Sequence, residues 1–218
     1  MSKAALIRLR ELKEVFGQVS ASNFEAILAR LAVLYEDLRI ELYGIAEDSI
    51  PALEKLDVKY RRIYFLRKSI GTLSEFSEAV AHLQMCPEFT VVSVEFSPEI
   101  RRYWERAAGF FKRNDRRLRM IRNDTGGHFG LEAARHAVHN FGVDAVMGIE
   151  MREPFTKRHT VFLHFAGEVV STAMLRHAEG MNRDYQVRRL IRLARVGYRH
   201  AVRCVLCVVS CYLWDKFG

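Results

Sequence analysis

The chain has 218 residues, half of them hydrophobic, and this composition excludes an intrinsically disordered protein. Its 34 basic residues outnumber its 26 acidic residues, and the formal net charge of +8 favours an anionic partner such as RNA or a phospholipid surface. The 4 cysteines do not have the spacing of a secreted disulfide framework, and the N-terminus lacks the apolar run of a secretory signal. We therefore expect a cytoplasmic protein with reduced thiols.

The first part of the chain carries apolar residues at helical spacing. Apolar positions three and four residues apart recur along 3–19, 23–45 and 51–85, which predicts three helices with one buried face each. Asn23 is a suitable N-cap for the second helix, and Pro51 fits the first turn of the third. The low content of proline and glycine, 4 and 13 residues, favours long uninterrupted helices.

A connection separates these helices from the next ones. Residues 86–97 contain a β-branched run, and we expect a short strand over 90–94. A helix then begins at the Ser-Pro-Glu sequence of 97–99 and ends near Arg122. Another helix is predicted over 131–141.

The C-terminal third has a less regular pattern. Residues 142–151 favour a short strand, and 160–165 form either its hairpin partner or the start of a helix. Further helices are predicted over 166–180 and from 181 to about 212. The sequence thus predicts an all-α protein, a bundle of long helices with a small β-hairpin near 143–164.

The sequence IRNDTGGHFG, residues 121–130, brings an arginine and a histidine close together. Arg122 can direct two N–H groups at phosphate oxygens and stays charged at any relevant pH. The neutral imidazole of His128 can accept a proton from a hydroxyl, and its cation can return one. Asn123 is suited to orient the imidazole or the phosphate, and Gly126–Gly127 let backbone N–H groups approach an anion. Since RNA offers a phosphate beside a 2′-hydroxyl, these residues predict RNA cleavage without a metal.

Other basic residues are candidates for binding the substrate. The outer face of the helix before the motif carries Lys112, Arg113, Arg116 and Arg119, which we expect to contact RNA. Arg67 falls close to the apolar stripe of its own helix. Either it forms an interhelical ion pair or extends its charge to solvent, or it supplies a second basic group to the site.

The motif within 121–130 resembles the arginine–polar–histidine motif of the HEPN superfamily, helical proteins that include many metal-independent ribonucleases. The sequence YFLRKSIGTLSEF, residues 64–76, is similar to a helix upstream of the motif in related bacterial proteins. The resemblance covers a core of about 20–141 and leaves 142–218 as a helical extension. We expect both parts to belong to a single helical domain, 1–218.

The resemblance implies an endoribonuclease without metal or cofactor, in which Arg122, Asn123 and His128 are catalytic. It also implies a homodimer whose two motifs face one another. A role in toxin–antitoxin systems or phage defence, with an antitoxin or other protein partner, is implied as well. The Gly126–Gly127 pair departs from the commonest family turn, so a catalytically inactive scaffold that binds RNA or protein is the alternative.

The last predicted helix shows three further patterns. His200, Cys204, Cys207 and Cys211 lie along one face, but they span about 16 Å, too far for four ligands of one zinc ion, and we expect buried thiols. Residues 205–214 are apolar but about half the length of a membrane span, so no transmembrane segment is expected. A basic side, typical of a nucleic-acid or membrane-surface contact, consists of Arg188, Arg192, Arg195, Arg199 and Arg203.

Overall fold

The computed structural model describes residues 23–46, 55–125, 130–140, 149–152, 160–163, 165–176, 182–210 and 212. Most of them lie in α-helices: α1 (Asn23–Ala46), α2 (Lys55–Met85), α3 (Pro87–Val94), α4 (Pro98–Thr125), α5 (Leu131–His139), α6 (Phe165–Met174) and α7 (Arg183–Val205). A π-helical turn, Leu206–Ser210, continues α7. Two short strands, β1 (Ile149–Arg152) and β2 (Thr160–Leu163), precede α6.

The predicted all-α class is confirmed for the described residues. The two strands form an antiparallel pair within the predicted range of 143–164. Ile149 lies opposite Leu163 at one end of the pair, and Arg152 lies opposite Thr160 at the other. β2 is therefore the hairpin partner of β1 and not the start of α6.

The short strand predicted over 90–94 is wrong, because these residues lie in the helix α3. Cys86 has an extended backbone (φ −76°, ψ 128°), and Pro87 follows in the first helical turn, where its missing N–H is not needed. Phe89 is buried and packs on Trp104 with 4.7 Å between the ring centroids. This tertiary contact outweighs the strand preference of the β-branched residues.

The other helices lie close to where the apolar spacing predicted them. α4 continues to Thr125, slightly beyond the predicted end at Arg122, and α5 ends at His139. The helix predicted over 3–19 lies outside the described residues, as does the predicted start of the third helix at 51–54.

One hydrophobic core joins α1, α2, α4 and α7. α2 contacts each of the other three helices, and its Phe76 is fully buried and stacks on Phe111 of α4 with 5.1 Å between the ring centroids. Gly197 allows α7 to approach α2 closely, because a Cβ at this position would lie 2.7 Å from both terminal carbons of Leu73. The C-terminal helix α7 therefore packs into the same core as the earlier helices.

A smaller apolar cluster, formed by Ala133, Ala137 and Ala173, joins α5 to α6. Just after α6, Arg176 forms an ion pair with Asp124 in the last turn of α4 at 3.4 Å. These contacts place α5 and α6 beside the C-terminal end of α4, where the predicted motif begins. None of the helices in the described part of the chain is both long and apolar enough to span a membrane.

Candidate functional site

A cleft of about 610 Å³ opens between α2 and α4. Lys112, Arg119 and Arg122, all predicted as site residues, line it from α4. α2 contributes Glu78 and His82 to the lining. The fold therefore brings three of the predicted basic residues together and adds an imidazole that the sequence motif does not include.

Arg122 lies in the last turn of α4 and reaches across to α2. Its Nη2 atom is 3.2 Å from Oε1 of Glu75, and the two side chains are 39% and 40% exposed. An ion pair with this exposure contributes at most about 1 kcal/mol to stability, because water screens it. A bound phosphate can therefore compete with Glu75 for the guanidinium.

Arg119 is also paired, in this case within its own helix. Asp115 accepts a hydrogen bond from Arg119 and another from the Ser77 hydroxyl at 3.1 Å. Glu78 forms an ion pair with Arg30 of α1 at 3.0 Å, and the hydrogen bond from Arg30 lowers the pKa of Glu78 below its usual value. The cleft thus holds charges of both signs, and the carboxylates limit its attraction for an anion.

The predicted catalytic motif lies only partly within the described residues. Asn123 is exposed beside Arg122 at the end of α4. His128 lies outside the described residues. Beyond it, the Gly130 N–H donates a hydrogen bond to the Asp124 carbonyl at 3.4 Å. The separation of Arg122 and His128, on which the predicted chemistry depends, is therefore not part of the described geometry.

The remaining predicted basic residues, Arg67, Arg113 and Arg116, lie away from the cleft lining. Arg67 places its guanidinium over Tyr64, 5.4 Å from the ring centroid, and its Nε atom is buried without a hydrogen-bond partner in the described structure. Arg113 lies close enough to His200 of α7 to influence its titration, and Arg116 is exposed. The predicted substrate-binding residues are therefore divided between at least two surfaces.

Glu41 of α1 is a titratable residue that no sequence motif indicated. The Thr72 hydroxyl donates a hydrogen bond to its Oε1 at 2.9 Å, while Oε2 is buried without a partner among the described residues. Burial, with smaller contributions from the charges of Asp37 and Glu75, raises the pKa of Glu41 to about 7. Since Glu75 also pairs with Arg122, Glu41 belongs to the polar network beside the cleft. Glu41 itself does not line the cleft.

The C-terminal thiols have a packing role. Cys204 and Cys207 are buried, and burial raises the pKa of Cys204 well above its usual value. Cys211 lies outside the described residues. His200 stacks on Phe110 with 4.6 Å between the ring centroids. In the part of the chain with described coordinates, no three His, Cys, Asp or Glu side chains are grouped to hold a metal ion.

The resemblance to HEPN proteins rests on Arg122, Asn123 and His128 and on the helix sequence 64–76. RNA cleavage, the homodimer and the toxin–antitoxin setting stay predictions, because no described contact tests them. Comparison with protein-family models, with curated proteins and with solved structures finds no match, and the chain is therefore assigned to no family.

Proposed function

We propose that this protein is a metal-independent endoribonuclease that acts through Arg122, Asn123 and His128. The observation that supports this proposal is the cleft between α2 and α4, which Arg122 lines together with Lys112 and Arg119. Guanidinium and ammonium groups are the side chains that bind phosphate oxygens most strongly. Arg122 also lies in the last turn of α4, a short distance along the chain before His128.

The proposed reaction is attack by the ribose 2′-hydroxyl on the adjacent phosphorus. His128 removes the hydroxyl proton as the bond between O2′ and phosphorus forms. The bond between phosphorus and O5′ breaks, and an imidazolium returns a proton to the leaving oxygen. Arg122 stabilises the charge on the phosphoryl oxygens, and Asn123 orients the imidazole or the phosphate. The products carry a 2′,3′-cyclic phosphate and a 5′-hydroxyl.

Substitution of His128 tests the catalytic part of the proposal. A general acid–base group contributes about 10²- to 10⁴-fold to a rate, so His128→Ala should lower the rate of cleavage of a labelled RNA in EDTA by this factor. His139→Ala is the matched control, because His139 is exposed at the end of α5, eleven residues after His128 in the sequence. The control should cleave at the wild-type rate. Equal rates for wild type and His128→Ala would rule out the proposed chemistry.

Glu75 competes with RNA for Arg122 in this scheme. Glu75→Gln removes the competing charge and keeps the size of the side chain. Since an exposed ion pair is worth about 0.2–1 kcal/mol, RNA affinity should rise roughly 1.4- to 5-fold. Glu132→Gln is the charge-matched control, because Glu132 forms an exposed ion pair with Arg135 on α5. An equal gain for both variants would show that net charge alone is responsible.

The second candidate function is a catalytically inactive scaffold that binds RNA or protein. It is favoured by the internal pairing of the cleft charges, Arg122 with Glu75 and Arg119 with Asp115. In that case the ion pair of Arg122 with Glu75 holds α2 against α4, and the ion pair of Arg119 with Asp115 stabilises α4 itself. Glu75→Gln would then lower the free energy of unfolding by up to about 1 kcal/mol and leave RNA affinity unchanged. Binding and urea unfolding of the same variant therefore separate the two candidates.

We further propose that the protein acts as a homodimer. Met85 at the rim of the cleft is 72% exposed, and Val91 and Val94 on the adjacent α3 are 67% and 70% exposed. Exposed apolar side chains such as these suit an isologous interface between two copies of the chain. Light scattering at micromolar concentration should give twice the chain mass, and Val91→Glu should shift the mass towards the monomer. A wild-type monomer would remove the dimer from the mechanism.

A further inference from the structure

The surface between α4 and α7 carries arginines from both helices. We call this surface the arginine seam, and it consists of Arg113 and Arg117 on α4 and of Arg189, Arg192, Arg199 and Arg203 on α7. The arginines of α7 follow one another at intervals of three, seven and four residues, so they share one face of that helix. The seam lies on a different face of α4 from Lys112, Arg119 and Arg122, which line the cleft.

Aromatic contacts fix the alignment of the two helices along the seam. The guanidinium of Arg203 lies over Tyr103, 5.7 Å from the ring centroid. Further along, Phe110 stacks on His200 with 4.6 Å between the centroids. Because the contact residues ascend along α4 while they descend along α7, the helices run antiparallel and their arginines are juxtaposed over several turns.

The side chain of His200 lies near positive charges from both helices. It lies between Arg199 and Arg203 in position and stacks against α4, and its Nδ1 atom is buried without a hydrogen-bond partner in the described structure. Burial, followed by the charges of Arg203, Arg113 and Arg199, lowers the pKa of His200 to about 4. Arginines of both helices therefore disfavour protonation of the same imidazole ring.

Three arginines of the seam form no ion pair among the described residues, namely Arg113, Arg117 and Arg199. A carboxylate lies at one end of the seam, where the Tyr103 hydroxyl donates a hydrogen bond to Glu99 at 3.2 Å. The pKa of Arg117 is lowered, first by burial and then by the charge of Arg189. Like charges held this close destabilise the folded chain, and a bound polyanion relieves the repulsion.

The ends of the seam carry exposed aromatic rings. Tyr103 is 38% exposed beneath Arg203, and Tyr185 is 54% exposed with Arg189 at 5.9 Å from its ring centroid. They are the exposed large hydrophobic side chains within α4 and α7. Leu206, in the π-helical turn that continues α7, is 58% exposed, so one aliphatic side chain and not a row of them lies at that end of the seam. A membrane-surface helix needs exposed aliphatic residues to enter the lipid, whereas arginine and tyrosine together suit bases and phosphates.

We propose that the arginine seam binds single-stranded nucleic acid. The arginines follow the phosphate backbone, and bases stack on the tyrosines at the two ends. From Arg189 to Arg203 the seam is about 21 Å long at 1.5 Å per residue, enough for several phosphates of one strand. This surface lies apart from the cleft, and binding here does not depend on cleavage or on His128.

Fluorescence anisotropy with a labelled 2′-O-methyl oligouridine of about 12 nucleotides measures this binding. The probe lacks the attacking hydroxyl, so binding is observed whether or not the protein cleaves RNA. The variant Arg113→Gln/Arg192→Gln/Arg199→Gln should weaken binding at least about tenfold. The slope of log K against log salt should fall by about 2, because about 0.7 counterions are released per phosphate contact with a single strand.

The matched control removes the same charge from exposed arginines on α1, α2 and α5. Arg39→Gln/Arg62→Gln/Arg135→Gln should bind within about twofold of the wild type. Equal weakening of both triple variants would show that the effect comes from net charge, and it would overturn the proposal. Unchanged binding by the seam variant would overturn it as well.

A second measurement uses the wild-type protein and serves if the seam variant does not fold. Phenylglyoxal modifies accessible arginines, and mass spectrometry locates the sites. The oligonucleotide should protect Arg113, Arg192 and Arg199 and leave Arg39 modified. Protection of the seam by phosphatidylserine vesicles but not by the oligonucleotide would identify a membrane contact and contradict the proposal.

Discussion

Substitution of Glu41 by glutamine should stabilise the protein above neutral pH. The folded protein raises the pKa of Glu41 from its ordinary 4.5 to about 7, chiefly because the carboxyl is removed from water. Folding therefore favours the protonated form. The contribution of this group to stability is complete below pH 4.5 and is lost as the pH rises to about 7. Glutamine is neutral throughout this range and keeps an acceptor for the Thr72 hydroxyl, whose hydrogen bond to Glu41 is 2.9 Å long.

The size of the effect follows from the two pKa values. At 1.36 kcal/mol per pKa unit, the shift corresponds to about 3 kcal/mol as an upper limit. Because Glu41 as a residue is only partly buried, solvent screening reduces this to about 1–2 kcal/mol. Glu41→Gln should thus raise the free energy of unfolding at pH 8 by about 1–2 kcal/mol and change it little at pH 4.5.

Urea unfolding followed by circular dichroism at pH 4.5, 6 and 8 measures this difference. Glu36→Gln is the control, because Glu36 is an exposed carboxylate on the same helix in an ion pair with Arg39. The control should not show the gain in stability at pH 8. A difference between wild type and Glu41→Gln that stays constant from pH 4.5 to pH 8 would refute the assignment of a raised pKa to Glu41.

Two further changes test the packing of α7. Gly197→Ala should lower the free energy of unfolding, measured in urea, by about 1–3 kcal/mol, because the new Cβ would lie 2.7 Å from the terminal carbons of Leu73. An unchanged free energy of unfolding would show that the two helices separate easily. The wild type should lose stability as the pH falls from 6.5 towards 4, because the folded protein holds the pKa of His200 at about 4. His200→Phe should not show this loss, because phenylalanine cannot bind the proton. Parallel pH profiles for wild type and variant would contradict this.

The sequence predicted the helices well because each buried face repeats within a single element. In α2, the apolar residues Ile63, Leu66, Ile70 and Leu73 repeat at spacings of three and four and are buried. The prediction failed where a local preference met a contact from elsewhere in the chain. At 90–94 the β-branched residues favour a strand, but the burial of Phe89 against Trp104, together with Pro87, selects a helix.

The site was less predictable because its contacts join distant parts of the chain. The ion pair of Arg122 with Glu75 and the hydrogen bond of Glu41 with Thr72 depend on how each helix is rotated about its axis. Residue spacing within one helix does not determine that rotation. The only local sign of Glu41 was its place beside the buried stripe of α1. In the same way, the basic side of the last helix was visible, but its alignment with Arg113 of α4 was not.

The termini of the RNA products test the central claim most directly. Wild-type protein is incubated with an end-labelled RNA in EDTA, and the products are treated with polynucleotide kinase with and without its 3′-phosphatase activity. Attack by the 2′-hydroxyl through His128 and Arg122 predicts 5′-hydroxyl ends and 2′,3′-cyclic phosphate ends, absent from a parallel reaction with His128→Ala. Products with 5′-phosphate ends, or no cleavage of any RNA by the wild-type protein, would contradict the account.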